Sequence, residues 1–382
     1  KLTGDEVTIE SKSSGTADVD ADGNQGGLLA IGAVVTKVTA PRATALVTLE
    51  SGTEIIGGSE INLRAINAPE LRLTAESGSG GLISGAGASG DTLITARTSV
   101  NLLDATLSGL SLNPVAVDVA ADSDIGLFGQ VDSINASLAG ASGANIDTNV
   151  TADSNVLLAD NADITADSLK IKTRNKVDRP ALAEDEFNLQ SGSGGGLDIA
   201  AMDSDANVTL TTGLSIGDGA KITQRDRLDA TAFSIGLETD VTLIDRQKMD
   251  SGAVVPVPKG DSEIIVTATD SNLSIGKGVE ISTLGGLDIY AGGRTNIGAE
   301  VFTTAYGLAG LPGASATAKY TADHAIDLAS DATLTSAEDI NLRAGGTETG
   351  QQGVTVKAEA RAYNNTGVPL FDVPDATASA IT

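Results

Sequence analysis

The sequence predicts an all-β chain wound as a β-solenoid, and three observations carry that reading. Segments of like pattern return at a step of about 56 residues along the 382-residue chain. Inside them apolar and polar positions alternate, which is the period of a strand and not of a helix. Apolar residues make up 41% of the chain but aromatic ones only 2%, with no Trp and 45 Gly. Ala, Val, Ile and Leu must then fill a thin interior of many similar layers, because no large rings are there to anchor a globular core.

The recurring segments run in order as "EIIGGSEINLRA" (54–65), "ATLSGLSLNP" (105–114), "DITADSLKIKT" (163–173), "KITQRDRLDATA" (221–232), "EISTLGGLDIYA" (280–291) and "TLTSAEDINLRA" (333–344). Each has a first apolar position: Ile55, Leu107, Ile164, Ile222, Ile281 and Leu334. An alternating apolar pair follows five or six residues later. Longer matches support the register, among them "LSIGDGAKIT" (214–223) with "LSIGKGVEIS" (273–282), and "GGLDI" at 195–199 and 285–289. "GGL" also occurs at 26–28 and 80–82, and Tyr306 and Tyr363 mark two similar stretches. A step of this length is long for the common helical repeats.

"INLRA" occurs at Ile61–Ala65 and again at Ile340–Ala344. Read as a strand, it turns Ile, Leu and Ala to one face and Asn and Arg to the other. The inward set is then Ile61, Leu63 and Ala65; Leu169, Ile171 and Thr173; Leu228, Ala230 and Ala232; Leu287, Ile289 and Ala291; and Ile340, Leu342 and Ala344. The third place is always small, which puts it where the walls of a coil converge. "INLRA" and "LRLTA" begin ten residues apart, at 61 and 71. That spacing predicts two sides of one coil with a corner at "INAPE". Coils of about 20 residues, some 19 in all, would make a rod on the order of 90 Å long at ~4.8 Å per coil.

Three stretches break the pattern: 174–188, 245–263 and 364–375. They hold most of the prolines and are expected to project as loops from one continuous solenoid spanning 1–382. They are the first places to look for a partner. The chain starts already patterned, at "KLTGDEVTIE", and open β edges seek partners. It is therefore expected to be part of a longer rod, or to stack end to end with copies of itself.

The net charge is −27, from 51 acidic and 24 basic groups. Nucleic acid and anionic membrane both need a cationic face, so neither is an expected partner. No run of 18 apolar residues is present, so no membrane-spanning helix is expected. The chain has no Cys, which rules out disulfides and thiolate metal sites.

Chemical motifs are sparse. The single histidine, His324, has no nucleophile signalled nearby, and the chain contains no GxSxG, P-loop or HExxH pattern. "GSGGGLD" (192–198) lacks the calcium-binding nonapeptide and reads as a corner. "DVDADGN" sets Asp18, Asp20 and Asp22 at alternating positions before Gly23, like the opening of an EF-hand loop. Position twelve is Leu29 where a bidentate Glu is needed, which excludes a full EF-hand and leaves a partial calcium site. No cofactor is required; calcium is the one considered. The paired acids Asp203/Asp205 and Glu184/Asp185/Glu186 fit a polysaccharide lyase or hydrolase in residue type only. Five Phe, four Tyr and no Trp supply few platforms for a sugar.

The "GGL", "GxGxxI" and "INLxA" units in an Ala/Gly/Asp-rich chain resemble those of the filamentous-haemagglutinin-like and leukotoxin-type filamentous adhesins of bacteria. The likeness is one of repeat texture and covers nearly the whole chain. It implies a right-handed parallel β-helix, export to the bacterial cell surface or beyond, and work as an adhesive rod or as a scaffold for matrix or biofilm. Its implied partners are neighbouring solenoid segments, copies of itself, and glycans or matrix at a cell surface. The expectation is thus a non-enzymatic protein, with a polysaccharide-acting β-helix enzyme as the alternative.

Overall fold

The computed structural model describes residues 1–110, 114–225, 231–351, 353–367 and 374–382, with all their side chains except those of residues 41, 270 and 351. Among the described residues there is no helix, and the strands stack in seven layers. The first layer is β1 (Leu2–Leu49) and the second β2 (Glu54–Leu102). The third holds β3 (Thr106–Gly109) and β4 (Ala116–Leu158); the fourth holds β5 (Asp163–Ala166), β6 (Ser168–Arg179) and β7 (Leu189–Ile216). The fifth holds β8 (Lys221–Gln224) and β9 (Phe233–Ile275). The sixth holds β10 (Glu280–Thr283), β11 (Leu287–Gly307) and β12 (Gly313–Leu328). The last holds β13 (Thr333–Ser336), β14 (Ile340–Ala344), β15 (Gly346–Thr347), β16 (Gly350–Gln351), β17 (Gly353–Thr366) and β18 (Asp375–Ile381). Sixteen of these form one parallel sheet, and β15 and β16 make a small antiparallel hairpin. The architecture is consistent with a β-solenoid.

Register explains the recurring sequence. Leu2, Ile55, Leu107, Ile164, Ile222, Ile281 and Leu334 pair in succession, one from each layer. So do Ile9, Leu63, Val119, Ile171, Ile235, Ile289 and Leu342. The two "INLRA" copies share these columns because each must place Ile and Leu beneath an apolar neighbour. Each fully buried Leu or Ile removes enough apolar surface from water to contribute roughly 1.5–3 kcal/mol.

The interior is divided in two. One apolar column contains Ile55, Leu63, Val119, Ile171 and Ile235. The other contains Leu73, Ile94, Val131, Ile146 and Val208. Between them the opposite walls meet at polar side chains. Asn67, Ser123, Asn175 and Thr239 stack on one wall, and Thr98, Ser154 and Thr212 on the other. Ser154 Oγ donates to Asn175 Oδ1 at 2.7 Å, and Asn175 Nδ2 donates to Thr211 O at 2.7 Å and to Thr212 Oγ1 at 2.9 Å. These bonds tie wall to wall, and they satisfy groups that would otherwise be costly to bury. The inward positions that precede this seam are small at Ala65, Ala121, Thr173 and Ala291, but the fifth layer sets a fully buried Leu237 in the same column, so the place is not always small.

Tight turns lie between the long walls and the short strands. Thr53 N donates to Glu50 O at 3.0 Å and Ala162 N to Ala159 O at 3.2 Å. Within these turns Gly52 has φ 77° and Asn161 φ 61°. A positive φ at the third residue alone defines a type II turn, which is why Gly or Asn stands there.

Several expectations need correction. "INLRA" and "LRLTA" are not two sides of one coil joined by a corner. Both belong to β2 and pair with β4, Leu63 with Val119 and Leu73 with Gly129. Residues 66–70 continue the strand, so "INAPE" forms no corner. Seven layers at ~4.8 Å give a stack roughly 30 Å deep, not 90 Å. In the fifth layer the inward set is Phe233, Ile235 and Leu237, while Ala232 is exposed and Leu228 and Ala230 lie outside the described residues. Ile340 and Leu342 are 41% and 46% exposed, because no layer covers them. Of the expected loop 174–188, residues 174–179 extend β6 and only 180–188 leave the sheet. The stretch 245–263 is not a loop and runs entirely within β9. Its Pro256 and Pro258 pair with Asp198 and Ala200 on one side. On the other side, the next layer is interrupted between Gly307 and Gly313. They therefore stand at a local edge, where a missing N–H breaks no ladder. Of 364–375, Asn364–Thr366 belong to β17, and 368–373 lie outside the described residues.

Candidate functional site

The alternation that buries one face of each strand leaves the other face on the outside, where parallel stacking turns like residues into ladders. One of these ladders is acidic. Asp91, Asp147, Asp205 and Glu263 pair in succession, and beside them run Ser89, Asn145, Asp203 and Asp261. A groove of about 610 Å³ lies against this ladder, floored by Gly87, Gly143, Ala144 and Met202. Burial raises the Asp203 and Asp205 carboxyls above their ordinary range, and the neighbouring acids Asp147 and Asp261 raise them further. In-register stacking is the cause, since it fixes like charges one strand spacing apart.

A second groove, of about 560 Å³, lies on the wall formed by residues 44–49 and their layer mates. Ser99, Asn101, Asn155, Ser215 and Asn272 line it with Arg97, so it offers amide and hydroxyl groups and little charge. Elsewhere the β15–β16 hairpin folds back along the stack. Lys170 and Lys172 approach Glu348 at 2.7 and 3.3 Å, and Lys172 also meets Glu238 at 2.6 Å. Burial would raise the Glu348 carboxyl, but the two lysines outweigh it and hold the group below its ordinary value. The hairpin is thereby fastened across several layers.

The residues singled out from sequence are scattered. Asp18, Asp20 and Asp22 lie exposed on one face of β1, beside Arg72, Thr74 and Glu76 of the next layer. A strand sets alternate residues ~6.6 Å apart and does not curl them around an ion as a loop does. Among the described residues no group of three or more His, Asp or Glu could hold a metal. Glu184, Asp185 and Glu186 are exposed on the 180–188 segment. Arg246 pins that segment, donating to the carbonyls of Ala183 at 3.0 Å and Glu184 at 3.1 Å. His324 sits beside a register shift in β12, and burial lowers its basicity. Of the predicted groups, Asp203 and Asp205 join two adjoining files of acids, and Asp22 heads a shorter one with Glu76 and Asp132. Asp91, Asp147 and Asp261 were missed, and their recurrence at the repeat spacing was the signal that could have found them.

Among the described residues no helix is long and apolar enough to cross a membrane. No family model, curated protein or solved structure matches the chain.

Proposed function

We propose that the chain is a rod-forming segment of a bacterial surface or extracellular filament protein, acting as an adhesive or scaffolding solenoid. In this reading it is a right-handed parallel β-helix in which each unit of about 56 residues forms one coil. It stacks against neighbouring solenoid segments or further copies of itself and meets glycans or matrix along its outer walls. The observation that carries the proposal is the parallel ladder that continues through all seven layers. Its last layer leaves Ile340 and Leu342 open, ready to be covered by another layer of the same kind. The resemblance to filamentous adhesins supports the same reading. Electron microscopy of the purified 382 residues tests it, together with binding to immobilised glycans and matrix proteins. The expected result is end-to-end stacks that adhere and release no sugar. Discrete particles that bind neither surface would overturn it.

The acidic ladder supports a second reading, a polysaccharide-acting enzyme, because carboxyls of raised pKa beside a groove suit general acid catalysis. Release of reducing sugar from acidic and neutral polysaccharides, abolished by Asp205→Asn, would favour that reading over the rod.

A further inference from the structure

At one end of the first six layers the usual arrangement of side chains is reversed. Beyond the second apolar column the two walls close on each other, and the space between them is filled by small side chains, many of them polar. Ser79, Ser84, Asn135, Ser142, Ser191 and Ser251 are all buried there. Asn135 Nδ2 donates to Ser84 O at 3.0 Å and to Ala141 O at 3.1 Å, and the Ser142 and Ser191 hydroxyls meet at 2.9 Å. Asp198 accepts from the hydroxyls of Ser193 and Ser251. The interior of this tongue is thus largely small and polar, and its large aliphatic side chains at the tip point outward.

Those side chains form a continuous ridge at the tip. Leu28, Leu82, Leu138, Leu197, Val254 and Leu308 come from six successive layers and are each about half exposed or more, from 48% to 79%. The layers are joined by the pairs Leu29–Ile83, Ile83–Ala139, Ala139–Leu197 and Leu197–Val255, and by Leu308 N donating to Val254 O at 3.0 Å. Beside the ridge stand the exposed Ile31 and Ile199, in a column whose intervening members are the small Gly85 and Ala141. The tongue segments 23–36, 77–90, 133–146, 191–202, 251–258 and 305–318 hold one ionisable carboxyl, Asp198, which is 1% exposed. One residue in five of the whole chain is charged, so this neutral edge stands apart from the rest of the surface.

We propose that the ridge is an interface between two copies of the chain, packed ridge against ridge. Two observations choose a second copy over other occupants. Two chains of charge −27 repel each other at most approaches, and the ridge is the face where contact sets no like charges together. The ridge also repeats at the ~4.8 Å layer spacing, stepping over by one position at Leu197, which pairs with Ala139 and Val255, and a second copy presents the same stepped repeat for its side chains to interleave with. The arrangement is self-complementary about a two-fold axis, as closed dimers require. Six such side chains and the flanking residues offer on the order of 1,000 Å², against the ~800 Å² per partner of a standard stable interface. Exposed apolar patches of this extent mark contact sites on soluble proteins.

This pairing is lateral and closes at two copies, whereas axial stacking adds copies without limit, so the two fail separately. The chain has no Cys, and a Leu138→Cys variant would therefore carry a single thiol at the middle of the ridge. Under mild copper-catalysed air oxidation, two such thiols join as one disulfide when the ridges pack together. The expected result is rapid, near-complete conversion to covalent dimer, at least tenfold faster than for an Asp18→Cys control on the outer face of β1. Sedimentation of the unaltered chain should show a dimer that tightens as salt screens the net charge. The double variant Leu82→Lys, Leu138→Lys should sediment as a monomer with an unchanged circular dichroism spectrum, since both side chains face solvent. Equal cross-linking rates would overturn the proposal. So would a dimer that survives both lysines, or a ridge that carries the chain onto neutral phosphatidylcholine vesicles without dimerising.

Discussion

Leu63 and Leu342 stand in the same column and differ in whether a further layer covers them. Leu63 is fully buried and Leu342 is 46% exposed. Leu63→Asp places an uncompensated charge in a dry column and should cost more than about 4 kcal/mol, whereas Leu342→Asp, open to water on one side, should cost about 1 kcal/mol. Chemical denaturation of the two variants checks this. Asp132 gives a pH-dependent counterpart. Burial pushes its carboxyl up to about 6, with Glu76 of the preceding layer adding to the effect. Because the folded state holds this proton more tightly than the unfolded chain, Asp132 favours folding most below pH ~4, and that stability is lost as pH rises through 6. Asp132→Asn should therefore melt higher than the parent at pH 7 and level with it near pH 4. Alternation in the sequence made the burial of Leu63 legible. The raised pKa of Asp132 was not, because it depends on which acid the register sets beside it.

At the scale of elements, the 180–188 segment shows how much of a loop can be read and how much cannot. Pro180 and the acidic run marked a break, but Arg174 to Arg179 continue the strand because they still find partners in β4 and β9. The segment is held from outside by Arg246, which reaches its carbonyls, stacks 5.1 Å from Phe187 and meets Glu300 at 3.3 Å. Arg246→Ala removes all of these ties at once. Limited proteolysis of that variant should cut between Ala183 and Phe187 several-fold faster than in the parent, with little change in melting temperature. The stretch 245–263 failed as a loop for the opposite reason. Its prolines signal an edge, and only the register shows that the edge is internal, made by the gap between β11 and β12.

For the whole molecule, the columns of apolar residues could be aligned from sequence alone, and Ile55 through Leu334 do stand one above the other. The size of a coil could not be read. Two short strand-like segments ten residues apart imply a narrow coil if the chain turns between them, and nothing local says that it does not. Strands such as β2 instead run on through 49 residues, and the outward Leu and Ile of the tongue gave the same alternating signal as a core. That layering has a mechanical consequence. In the second ladder described above, Ile9, Leu63, Val119, Ile171, Ile235, Ile289 and Leu342 are the points where the chain passes over itself. Pulled from its two ends, the stack loses one layer at a time, since each layer is held mainly by the one beneath it. Every rupture then frees a loop of chain of nearly constant length, roughly 190 Å at 3.3–3.6 Å per residue. A single-molecule force trace should record a train of evenly spaced peaks at that interval. One abrupt extension of the entire chain would contradict the layering. The repeat first seen as recurring letters would then be measurable as a length.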